Sequence, residues 1–105
     1  MKKFTSAACV LLVSMLLTAC RASSVEGFIS DSMCGRKHIM PGASDAECTN
    51  ECVKAGAQYV VVADDKIYFL AGNLQDAAAL AGKKAHVEGA VSGNTITVSS
   101  MREIN

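Results

Sequence analysis

The sequence predicts a small, mainly β domain with two short helices, an α+β chain by composition. Three observations carry this. Several stretches are short and rich in β-branched and aromatic residues, such as YVVVA at 59–63 and KIYFL at 66–70. Turn residues punctuate them, as in Asp64-Asp65 and Ser92-Gly93-Asn94. Helix signals occur at only two places in the region after residue 24, one of them alanine-rich.

Residues 25–30 (VEGFIS) alternate, with Val25, Gly27 and Ile29 on one face, and read as the first strand. Gly35, Pro41 and Gly42 then break the chain. Ser44 followed by Glu47 is a capping box, which starts a helix of about three turns through Ala55, with Gly56 as a natural stop. Residues 59–63 form a buried strand, and Asp64-Asp65 turns into a strand at 66–70. Asn73 caps a short helix over 74–81 that ends at Gly82. Residues 84–91 and 95–99 form a hairpin around Ser92-Gly93-Asn94.

Without its first helix, this order is that of an OB fold, a five-stranded, partly open barrel with a helix between strands three and four. The expected architecture is thus an OB-like barrel over 25–105. A Cys/His helical insertion at 31–56 lies between strands one and two. A two-layer α+β sandwich has the same periodicity.

The N-terminus sets the compartment. Lys2 and Lys3 precede an apolar stretch, residues 4–17, too short for a comfortable membrane span of about 20 residues. It ends in Leu17-Thr18-Ala19-Cys20, which resembles a bacterial lipobox. Residues 1–19 read as a lipoprotein signal peptide, Cys20 as the acylated (palmitate-bearing) first residue, and 20–24 as a short tether. The plainer alternative is an ordinary secretory signal cut near Ala19 or Ala22. A lipid-anchored protein facing the periplasm follows, and Arg21 after the cysteine favours the outer membrane. Loss of two lysines turns a chain of balanced charge slightly acidic. That argues against nucleic acid as a partner, and any protein partner is unspecified.

Of five cysteines, Cys9 leaves with the signal and Cys20 carries lipid, so Cys34, Cys48 and Cys52 remain as thiols. An odd number in an oxidising compartment points to a spare thiol, an intermolecular bridge or a metal. Cys48 and Cys52 stand at i and i+4 on the predicted helix and so share a face. Cys34 and His38 have the same separation. Cys34, His38, Cys48 and Cys52 together give C-x3-H-x9-C-x3-C, two chelating pairs suited to a tetrahedral zinc site. Met33 and Met40 flank the first pair, and sulfur ligands also suit copper. Four filled positions make a closed site, which is non-catalytic.

Two rivals use the same residues. A disulfide from Cys34 to Cys48 or Cys52 would staple the insertion by closing a loop of about fifteen residues, worth ~3 kcal/mol. The protein would then be an envelope interaction module. A migrating disulfide would instead make it a thiol-redox protein, with Lys37 and His38 lowering a thiol pKa. No C-x-x-C-H haem motif, phosphate-cradling loop, nucleophile elbow or hydrolytic triad occurs, so haem, nucleotide and catalytic residues are not expected. His86 and Glu88 read as a solvated polar face. Asp31 and Ser32 read as turn formers, with a hydrogen bond between one of them and His38 as the alternative.

Three segments, GFISDSMCGRKH, ECTNECVKAGAQYVVV and LAGKKAHVEGAVSGNTITVSSM, resemble a family of small secreted or lipid-anchored bacterial proteins. The resemblance spans roughly residues 26–101, and the paired Cys/His elements are its specific part. It implies an OB-like barrel and makes the cysteine region part of the family pattern. It implies no activity.

Overall fold

The computed structural model describes residues 22–36, 44–64 and 66–105. The expected signal peptide, lipidated Cys20, His38 and Asp65 of the predicted turn lie outside the described residues. Among the described residues, five strands and two helices follow one another as β1 (Ala22–Asp31), α1 (Asp45–Lys54), β2 (Tyr59–Val62), β3 (Ile67–Ala71), α2 (Leu74–Ala79), β4 (Lys84–Ser92) and β5 (Thr95–Glu103). The protein is mainly β, and its sheet closes in a ring in the order β1-β2-β3-β5-β4, with β4 returning to β1. Every pairing is antiparallel except β3 with β5.

β1 closes the ring because it is long enough to serve two neighbours. Its first part, from Ala22, pairs with β4, and its last part, Phe28 to Asp31, pairs with β2. Ser23 and Ser24, expected as tether, belong to this strand, opposite Gly89 and Glu88. The exchange of partners occurs at Phe28, opposite both Lys84 and Val62, and at the preceding Gly27 a Cβ would fall onto the Val62 carbonyl. Only glycine permits that approach.

Alternation runs as predicted: Gly27 and Ile29 are buried, and on β4 Ala85, Val87 and Gly89 are buried while Glu88 is exposed. The core joins Ile29, Tyr59, Val61, Leu70, Ala77, Ala85, Val87 and Ile96, with Val53 of α1 packed against it. Burying one such aliphatic side chain contributes about 1.5–3 kcal/mol. His86 lies half-buried on the other face, its Nδ1 2.9 Å from Glu26 and its Nε2 3.8 Å from Glu88, both glutamates exposed, as expected for a polar face.

Two local predictions change. Asn73 stands before α2 but caps nothing with its side chain. Its backbone is left-handed, φ 52°, a conformation asparagine tolerates. The helix also ends at Ala79, short of Ala81, because Ala81 is drawn into a bridge with Ile29.

Candidate metal centre

The site forms where β1 runs out and α1 covers the end of the ring. The inward parity of Gly27 and Ile29 continues to Asp31, which is completely buried. Asp31 Oδ1 accepts the backbone N–H of Met33 at 3.0 Å and of Cys34 at 2.8 Å. This carboxylate-bound turn, the chemistry expected of Asp31, folds the chain back at the strand end. The Gly35 N–H donates to the Asp31 carbonyl at 2.8 Å, and the Ser30 hydroxyl donates to the Gly35 carbonyl at 2.7 Å. Arg36 then reaches the Ala63 and Asp64 carbonyls at 2.9 and 3.2 Å, anchoring the turn to the segment after β2. Cys34 is held inside these contacts, partly exposed.

α1 brings the other two cysteines. Its start is the predicted capping box: Ser44 Oγ accepts the Glu47 N–H at 3.2 Å, and Glu47 Oε1 accepts the Ser44 N–H at 3.5 Å. Its buried face consists of Cys48, Thr49 and Cys52. Asn50 locks the helix laterally, donating to the Ala78 carbonyl at 3.3 Å and accepting the Tyr59 hydroxyl at 2.7 Å. Residues 34, 48 and 52 therefore converge from a fixed turn and a fixed helix.

Cys34 Sγ lies 3.5 Å from Cys48 Sγ and 3.7 Å from Cys52 Sγ. A disulfide needs about 2.05 Å, so none joins them, and the predicted staple is not formed. One ligand atom from each of Asp31, Cys34, Cys48 and Cys52 falls within 4.8 Å of all the others, close enough to share a metal ion. A tetrahedral ion with Zn–S bonds of ~2.3 Å separates its sulfurs by about 3.8 Å. The observed separations are near that edge.

At Cys52 the electrostatics oppose a reactive thiolate. The Cys52 thiol is pushed up to about 12, first by burial, then by its hydrogen bond with Cys34 and by the negative charge of Asp31 and the neighbouring sulfurs. The redox reading expected a thiol pKa lowered by Lys37 and His38, both outside the described residues; at Cys52 the shift runs the other way. A cation placed among the sulfurs would reverse it, because metal coordination deprotonates a thiol outright.

Sequence reasoning brought Cys34, Cys48 and Cys52 together correctly. It read Asp31 as a turn former and missed that the same side chain belongs to the cluster. Its parity with Ile29 hinted at an inward side chain, but Ser30 between them is buried too, and nothing local pointed to Cys48 and Cys52. Neither a family model, nor a curated protein, nor a solved structure matches this chain.

Proposed function

We propose that this protein is a cell-envelope lipoprotein that binds one transition metal ion, of the zinc or copper class, non-catalytically through its cysteine cluster. The observation that carries the reading is the convergence of three cysteine sulfurs and a buried carboxylate, from a turn and a helix, within 4.8 Å. Cys34, Cys48 and Cys52 supply soft ligands that suit both metals. A fourth protein donor closes the coordination sphere and leaves no position for substrate.

The scaffold is read as OB-like. The strand order β1-β2-β3-β5-β4, the parallel β3–β5 pair and the helix between β3 and β4 support that reading. In such folds the loop between the first two strands borders the binding face, and here that connection carries the metal ligands. The lipobox-like LTAC at 17–20 supports the anchor; such an anchor would hold the domain at the membrane, facing the periplasm.

Native mass spectrometry of the exported protein, purified without chelator or reductant, tests the reading. The expected result is one metal adduct per chain with three reduced cysteines, lost in Cys48→Ser and in Cys52→Ser. A metal-free chain lacking two hydrogens would replace the metal centre with a disulfide.

A further inference from the structure

Resting on the metal reading of the cysteine cluster, we propose that Asp31 is its fourth ligand, through Oδ2, and that the site is thereby selective for a divalent ion of the zinc class over Cu(I).

The two oxygens of Asp31 have different surroundings. Oδ1 is committed to the Met33 and Cys34 N–H groups. Oδ2 is fully buried and has no hydrogen-bond partner among the described residues. A buried carboxylate oxygen without a partner is costly, and native proteins rarely keep one without a reason. Arg36, the nearest described cation in sequence, spends its guanidinium on the Ala63 and Asp64 carbonyls instead. One oxygen of this carboxylate lies within 4.8 Å of a sulfur of each of the three cysteines, and Oδ2 is the oxygen with bonding capacity to spare. A metal ion among them satisfies Oδ2 and the sulfurs together.

The donor set selects the ion. Cu(I) is soft and is served by thiolates, so a carboxylate oxygen adds little to it. Zinc and its divalent analogues take cysteine sulfur and carboxylate oxygen in one tetrahedron. Charge points the same way: three thiolates and a carboxylate are better neutralised by a doubly than by a singly charged ion. A three-sulfur Cu(I) site would leave Oδ2 buried beside anionic sulfurs with nothing to hold. The two backbone N–H groups on Oδ1 fix the carboxylate and leave Oδ2 as the oxygen available to an ion, and ligating carboxylates are generally hydrogen-bonded in this way. His38, the fourth donor suggested by spacing alone, is not needed for a complete set.

The test is competition titration of the exported protein with Zn2+ and with Cu(I), using wild type, Asp31→Asn and His38→Ala. Asparagine keeps an acceptor for the turn and removes the charge. Zn2+ affinity should fall at least 10–100-fold in Asp31→Asn, about the loss caused by removing even an outer hydrogen-bond partner of a ligand. Cu(I) affinity of the same variant should stay within about threefold of wild type, since its three cysteines remain; that titration also shows that the cluster is still assembled. His38→Ala should bind Zn2+ as wild type does. Unchanged Zn2+ affinity in Asp31→Asn, or equal losses for both ions, would overturn the assignment while leaving the metal centre standing. Wild-type protein that binds neither ion would remove the metal reading, and this assignment with it.

Discussion

Cys34 Sγ faces Cys48 Sγ at 3.5 Å and Cys52 Sγ at 3.7 Å, whereas Cys48 and Cys52 occupy successive turns of one helix. A regular helix holds the Cβ vectors of an i, i+4 pair nearly parallel, which is poor geometry for a disulfide. The turn cysteine is thus the common member of every bridge the cluster can form without unwinding α1.

Oxidation of the metal-free protein should accordingly give a mixture of Cys34–Cys48 and Cys34–Cys52 bonds and no Cys48–Cys52 bond. The two bridges span sequence separations of 14 and 18, and each should raise stability by up to ~3 kcal/mol. Peptide mapping after treatment with a mild thiol oxidant reads the pairing. Cys34→Ser should remain a monomeric dithiol under the same treatment; an intrahelical bridge in that variant would show that α1 opens readily.

Local chemistry was legible in the sequence, and convergence was not. The Ser44–Glu47 capping box involves residues three apart, so it could be read directly. So could the tight turn at Gly93, where φ is +60°, and the shared face of Cys48 and Cys52. Asp31 has two uses, and only the one toward Met33 and Cys34 lies within three residues. Its approach to Cys48 and Cys52 depends on α1 packing over the end of β1, a long-range event without a local pattern. Asn73 failed as a cap for a related reason: its left-handed backbone is fixed by the course of the chain out of β3, which propensity does not encode.

Alkaline pH should destabilise the metal-free, reduced protein. In the unfolded chain Cys52 loses its proton near its ordinary value of 9.0, while in the folded state it holds it to about 12. Between those values the unfolded state binds fewer protons, so unfolding free energy falls as pH rises. The contribution is complete below pH 9 and is gone above the folded pKa. Tyr59, raised from 10.0 mainly by burial although Lys54 opposes it, acts with the same sign from a higher pH. Urea unfolding between pH 8 and about 10.5 should show declining stability. Cys52→Ala should flatten the earlier part of the decline, and Tyr59→Phe only the part above pH 10. A flat wild-type profile would mean that Cys52 is not desolvated as described.

Gly82 and Gly93 offer a matched comparison of backbone strain with and without crowding. Both have positive φ, +78° and +60°. Around Gly93 a Cβ would meet nothing within 4 Å, so Gly93→Ala should cost only the left-handed penalty, about 1–2 kcal/mol. At Gly82 the added carbon would stand 2.8 Å from the Ala46 nitrogen and 3.0 Å from the Asp45 Cβ, in the first turn of α1. The Gly82 N–H also donates to the Ile29 carbonyl at 2.8 Å, so the backbone there has little room to retreat. Gly82→Ala should therefore add an overpacking cost of about 1–3 kcal/mol to the same strain. Because the element that must shift carries Cys48 and Cys52, Gly82→Ala should weaken Zn2+ binding as well, while Gly93→Ala leaves it unchanged. Denaturant unfolding of the two metal-free variants, paired with Zn2+ titration, separates these effects. Equal costs, or intact Zn2+ affinity in a destabilised Gly82→Ala, would show that α1 is not held in place by its contact with Gly82.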